Sequence, residues 1–308
     1  MKIVIIGPTL LTRKCIDALI RNGEEISAIY TLDDSMAWGK SRFAIMDDIA
    51  ERHNIRLFKV KNINAPEVVS HIRGIRPDVI FEIGWSQIIS RDILRIPEKG
   101  CIGVHASLLP KNRGAASLNW ALIRGDKKAG VTLFYLAEKP DDGDIIARKE
   151  FDIDDRDDIS TLHSKSDIAS AELLLENIDA IRNDMVKRIK QNPDEASTTQ
   201  RRTPDDGIIK WNSNTRDIYN WVRAQTHPFP GAFTTWKGKK LYIWQSEICD
   251  MQEGQPGKIL KIERKNGIYV GTHDGALLVK RAQFENDVEM WADDLAEKRD
   301  IKTGDILG

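Results

Sequence analysis

Strands and helices alternate along the first hundred residues, and this alternation constrains the fold more than any other feature. Residues 2–6 form a continuous β-branched run ending at Gly7, the mark of a strand buried on both faces. Residues 12–22 then carry helical spacing through Cys15 and Leu19 and stop at Asn22-Gly23. Strands are predicted at 26–30, 57–60, 78–83 and 101–105, with helices at 46–53, 65–75 and 91–96 between them. This order implies an α/β domain, a Rossmann-like doubly wound parallel sheet with ligands bound outside the carboxyl ends of its strands. Three segments are expected to meet there: residues 84–87, 105–114 and 141–144.

The chain continues with a helix at 118–124, strands at 131–136 and 145–152, and a long charged helical pattern at 161–189. Residues 190–208 are polar, hold two prolines and lack periodicity, so they read as a linker. After a helix at 215–223, short strands at 233–236, 239–245, 257–264, 267–271 and 276–283 are separated by Gly-containing turns. That pattern predicts a small β-barrel. The expected organisation is a catalytic domain over 1–189, a linker over 190–208 and a barrel domain over 209–308, consistent with a length of 308 residues.

The charge balance of 46 basic against 47 acidic residues gives no global attraction to nucleic acid or to an anionic membrane. Cys15, Cys101 and Cys249 lie far apart, which argues against a disulfide framework or a metal motif and fits a reducing cytoplasm. The N-terminal apolar run is too short for a signal peptide, and none is long enough to span a bilayer. The turn after Gly7 reads G-P-T-L-L-T and lacks the G-x-G-x-x-G of dinucleotide binding.

Chemistry concentrates between Cys101 and Asp144. His105 ends a predicted strand and opens a loop rich in Ser, Leu, Pro and Gly. Asp141, Asp142 and Asp144 follow one strand later, in a Pro-Asp-Asp-Gly turn. A histidine and a carboxylate brought together at strand ends supply general acid and base groups. Arg113 beside Gly114 suits an anionic substrate group or a loop ion pair. Trp85 suits a stacking or a packing wall. Lys237, Lys239 and Lys240 suit an RNA patch or a solvated hairpin edge.

The run H-A-S-L-L-P-K-N-R-G-A-A followed by D-x-G-D resembles the 10-formyltetrahydrofolate-dependent formyltransferases. R-R-T-P-D-D-G-I-I-K-W at 201–211 and V-R-A-Q-T-H-P-F-P-G-A-F at 222–233 resemble the linker and second-domain entry of the methionyl-tRNA and UDP-4-amino-4-deoxy-L-arabinose members. The resemblance covers nearly the whole chain. It implies an N-terminal active-site domain, a C-terminal OB-like barrel, 10-formyltetrahydrofolate as cosubstrate, and direct attack of an amine on the formyl carbon.

It also implies an Asn, a His and an Asp that stabilise the oxyanion and manage protons. The His maps to His105 and the Asp to Asp141, but the Asn position holds Gly103. A missing oxyanion donor costs roughly 10²–10³ in rate. Gln87 is the expected replacement, with Asn112 and Asn119 behind it. The folate is expected along Trp85, Ser86, Ile88 and Ile89, along Ser107, Leu108, Leu109 and Pro110, and at Asp144. Arg113 and Asn112 are expected on the acceptor side.

Residues 31–43 (T-L-D-D-S-M-A-W-G-K-S-R-F) open with two acids where tRNA members carry a basic insertion. From residue 209 onward the charges nearly balance, about 15 basic against about 14 acidic. Both points lead to a small amine on a nucleotide-linked amino sugar as the expected acceptor, in an enzyme that is a possible homodimer. Methionyl-tRNA is one alternative. A folate-binding protein with weak or no transferase activity is another.

Overall fold

The computed structural model describes residues 1–251 and 254–308. These fold as two compact units, one holding Met1–Ser117, Lys128–Asp152 and Ser164–Gln200, the other Leu118–Lys127, Ile153–His163 and Arg201–Gly308.

The first unit is built on β1 (Ile3–Ile6), β2 (Ile26–Leu32), β3 (Arg56–Val60), β4 (Val79–Ile83), β5 (Cys101–His105), a two-residue β6 (Arg113–Gly114), β7 (Lys128–Tyr135), β8 (Ile145–Asp152) and a two-residue β9 (Thr198–Thr199). Seven of these form one sheet in the order β3-β2-β1-β4-β5-β7-β8, and β6 pairs with β9. The first five of the sheet run parallel, as the alternation implies. All four residues of β1 are fully buried because both faces of the sheet are covered. On one face α1 (Leu10–Arg21) places Cys15, Ile16 and Leu19 against Ile3, Ile5 and Phe81. On the other, α3 (Pro66–Ile75) and α4 (Arg91–Leu94) bring Ile72 and Ile93 against Val4, Ile6 and Ile80. A shorter α2 (Asp47–Arg52) precedes β3.

β7 and β8 run antiparallel to their neighbours. A turn of nine residues (136–144) joins them, too short for the crossover that a parallel pair needs. That turn holds Asp141, Asp142 and Asp144. The helix α5 (Ser117–Arg124) precedes β7, and α6 (Ile159–Arg182) stops earlier than its charged pattern suggests, where Asp184 adopts a left-handed backbone (φ 56°). The aperiodic stretch beyond it is not free chain, because Thr198–Thr199 pairs with Arg113–Gly114.

In the second unit, α7 (Thr215–Arg223) is followed by β10 (Ala232–Trp236), β11 (Lys239–Cys249), β12 (Ile259–Glu263), β13 (Gly267–Gly271), β14 (Ala276–Phe284), β15 (Met290–Trp291) and α8 (Ala292–Arg299). These strands form one antiparallel sheet in the order β10-β11-β14-β13-β12, with β15 on β14. Its core includes Trp211, Val222, Ile243, Val270 and Leu295. The buried Arg223 guanidinium donates to the carbonyls of Asp154 and Asp157, at 3.0 and 2.9 Å. Asn119 donates its side-chain amide to the carbonyl of Ala224 at 2.7 Å, so that amide is spent inside this unit. Among the described residues, no helix is long and apolar enough to cross a membrane.

Candidate active site

β5 ends on His105, and in a strand residues two apart share a face, so Gly103 and His105 look the same way. His105 Nε2 lies 2.8 Å from the carbonyl oxygen of Asn112. A carbonyl only accepts, so Nε2 carries the proton and Nδ1 is left to face Asp141. Nδ1 stands 3.7 Å from Asp141 Oδ1, beyond a direct hydrogen bond.

The loop after His105 is held from below by β7. Thr132 Oγ1 donates to the Ser107 carbonyl at 2.6 Å and accepts the Leu109 amide at 3.0 Å. The Ser107 hydroxyl donates to the Lys111 carbonyl at 2.6 Å. Ser107, Leu109 and Pro110 are buried, while Leu108 and Asn112 are partly open.

Asp141 is fixed from two sides. Its Oδ2 accepts the backbone N–H of Gly114 at 2.7 Å, and its backbone takes a left-handed conformation (φ 53°). Gln191 donates from Nε2 to the carbonyls of Asp141 and Gly143, at 2.8 Å each. The Gln191 Oε1 accepts from Arg113 Nε and Nη2 at 3.1 and 2.7 Å, and Arg113 Nη1 pairs with Asp142 at 2.6 Å. The Arg113 charge is thus engaged within the protein. Asp144 closes the turn by accepting the Tyr135 amide at its carbonyl.

A residue that sequence patterns did not single out stands beside Gly103. Glu82 on β4 is its register partner. Glu82 Oε1 accepts the backbone N–H of Trp85 at 2.6 Å. Burial pushes its carboxyl pKa up to about 8, against the Trp85 bond, with the Asp141 charge adding to the rise. Burial also pushes the Cys101 thiol up to about 12, with Glu82 contributing. The one advance signal was a carboxylate inside the apolar run D-V-I-F-E-I. Gln191 gave no such signal, because it lies in a stretch without periodicity.

Gly103 itself is roofed by apolar side chains. A Cβ there would stand 2.7 Å from Leu136 Cδ2 and 3.0 Å from Phe134 Cε1. Both ends of the Gln87 amide are engaged elsewhere: Oε1 accepts from Ile63 N at 3.0 Å and Nε2 donates to the Lys61 carbonyl at 2.7 Å. Gln87, with Asn64, clips the 84–90 loop to residues 61–64. Along that loop Ser86 is exposed, Ile88 is 63% exposed, Ile89 is buried, and the buried indole N–H of Trp85 has no hydrogen-bond partner.

Comparison with known proteins adds a second line. Residues 1–178 match the formyl transferase family, and residues 201–300 match the formyl transferase C-terminal domain. The chain is 33% identical over 313 aligned residues to the methionyl-tRNA formyltransferase of Acetivibrio thermocellus, covering all of both chains. Its fold is similar to that of WlaRD, a sugar 3N-formyl transferase solved with dTDP and 5-N-formyl-THF (TM-score 0.68, 20% identity, 94% of this chain and 99% of that one). It is also similar to an N-formyltransferase from Helicobacter canadensis solved with folinic acid and dTDP-3-aminofucose (TM-score 0.67, 17% identity, 92% and 100%).

Proposed function

Because the chain belongs to the formyl transferase family and so takes its formyl group from 10-formyltetrahydrofolate, we propose that the amine it formylates sits on a nucleotide-linked amino sugar. The observation that carries this reading is the charge state of residues 31–43. The two cations there are Lys40 and Arg42, and Arg42 forms a buried 2.6 Å pair with Asp167. Asp34 and Asp47 both hold Lys59, at 2.6 and 2.9 Å, and Arg13 pairs with Asp48. Of the cations named here, Lys40 alone has no ion pair among the described residues, and cations already neutralised release no counterions from a polyphosphate, so this surface offers little to an acceptor stem. Trp38, 94% exposed in the same segment, offers a face on which a nucleotide base can stack.

At the reacting centre His105 and Asp141 are proposed to move the proton. The attacking amine nitrogen becomes cationic as it bonds to the formyl carbon, and the Asp141 carboxylate takes up the proton it sheds. His105, anchored through Nε2 to Asn112, presents Nδ1 to the same space. The formyl donor supplies an activated N-formyl group. The Trp85–Ile89 strip and the Ser107–Pro110 loop are the proposed places for its ring system, with Asp144 close by.

Methionyl-tRNA is the second reading, favoured by the 33% identity over the full length of a tRNA enzyme. A binding titration at several salt concentrations separates the two. A tRNA acceptor gives affinity that falls steeply with salt, whereas an amino-sugar nucleotide with one diphosphate gives a shallow dependence.

A further inference from the structure

We propose that Glu82, with its carboxyl protonated, is a catalytic residue that donates its O–H to the formyl oxygen as negative charge develops there. The inference rests on the formyl-transfer reading of the His105–Asp141 site. Acyl transfer to an amine drives the π pair of the C=O bond onto oxygen, and a site without a donor aimed at that oxygen pays in rate. Several of the nearby donors are already used, while the Asn112 side chain sits on the loop beyond His105. His105 Nε2–H goes to Asn112, the Gly114 N–H to Asp141, and the Gln87 amide to Lys61.

Glu82 differs from these. One of its oxygens accepts from Trp85, and among the described residues none bonds the other. As the register partner of Gly103 it shares the sheet face that carries His105. Gly103 puts no side chain of its own between them, and Leu136 and Phe134 cover it on that face. Its ionisable surroundings are Asp141 in the turn and Cys101 on β5, while its partner on β1 is the apolar Ile6. Burial and the Asp141 charge keep the acid neutral through physiological pH, which is what a carboxyl needs in order to donate.

The step balances without a net change at Glu82. The amine lone pair bonds to the formyl carbon, and the carbonyl π pair moves to oxygen against the Glu82 O–H. The ammonium proton passes to Asp141. The oxygen pair then re-forms C=O, the bond to the folate nitrogen breaks, and that nitrogen takes a proton through His105 and Asp141. The products are a formamide and tetrahydrofolate.

The test uses Glu82→Gln, which keeps a donor, and Glu82→Leu, which removes it, with whichever amine the wild type formylates. Leu is expected to lower kcat by roughly 10²–10³ with folate KM within about threefold. The wild type is expected to lose kcat above about pH 8, and Gln is expected to stay within about tenfold and to lose that fall. An activity-independent reading comes from ¹³C NMR of the folate-free protein labelled at the Glu carboxyl carbon. One carboxyl is expected to titrate near pH 8 in the wild type, to vanish in Glu82→Gln and to titrate lower in Asp141→Asn. Full kcat in Glu82→Leu, an unchanged alkaline limb in Glu82→Gln, or no carboxyl titrating in that range overturns the proposal. Full activity in His105→Ala instead overturns the reading of the site on which it rests.

Discussion

The imidazole of His105 is fixed by the backbone of Asn112, whose carbonyl accepts the Nε2–H hydrogen bond at 2.8 Å and so leaves Nδ1 as the ring nitrogen that faces Asp141. The pair is held by loop geometry rather than by a bond between its members, and the proposed proton transfer uses both. His105→Ala and Asp141→Asn are each expected to lower kcat by roughly 10²–10⁴, the range for a lost acid or base. Folate affinity, measured by fluorescence quenching of the free protein, is expected to change far less.

Gln191 acts at one remove. Its amide ties the carbonyls of Asp141 and Gly143 to Arg113 and thereby sets where the Asp141 carboxylate stands. Gln191→Ala is expected to lower kcat about tenfold while leaving the acceptor KM within a few-fold, because misplacement by a fraction of an ångström costs rate before it costs binding. Gln191→Glu is expected to be worse than Ala, since a carboxylate there faces two carbonyl oxygens. Steady-state kinetics of the two variants check the order.

Gly143 has no room for a side chain. A Cβ would lie 1.7 Å from the carbonyl oxygen of Tyr135, which is backbone and moves only with β7. Gly143→Ala is expected to destabilise the protein by about 1–3 kcal/mol and to displace the Asp141 turn. Gly74, near the end of α3, meets nothing within 4 Å, and Gly74→Ala is expected to stabilise by roughly 0.5–1 kcal/mol. Thermal unfolding of both variants gives opposite signs.

Glu82 also leaves a mark on stability. Its pKa rises from 4.5 in the unfolded chain to about 8 when folded, so the native state holds the extra proton between those values. Stability from this group is therefore full below about pH 4.5 and is lost as pH rises toward 8. The slope is at most about 1.4 kcal/mol per pH unit. In Glu82→Gln that slope is expected to disappear, so the variant gains on the wild type as pH increases. Urea unfolding at a series of pH values measures it.

Much of this architecture is legible in the sequence because burial on both faces writes itself as continuous apolar runs, as in Ile3–Ile6, and because turns need Gly, Asp and Pro where they occur. His105 is legible as a polar residue at the end of such a run, and Asp141 as part of a Pro-Asp-Asp-Gly turn. Glu82 and Gln191 are not. The first depends on which strand lies beside Gly103, and register is a long-range property. The second works through backbone carbonyls that no side-chain pattern records. The commitment of Gln87 to Lys61 and Ile63 is equally invisible, since it requires knowing how the 84–90 loop meets residues 61–63.

The identity of the acceptor is tested most directly by incubating the protein with 10-formyltetrahydrofolate, a panel of nucleotide-linked amino sugars and methionyl-tRNA, then looking by mass spectrometry for the gain of one formyl group. Formylation of an amino-sugar nucleotide, with methionyl-tRNA left unmodified, is the expected result. Formylation of methionyl-tRNA alone contradicts it.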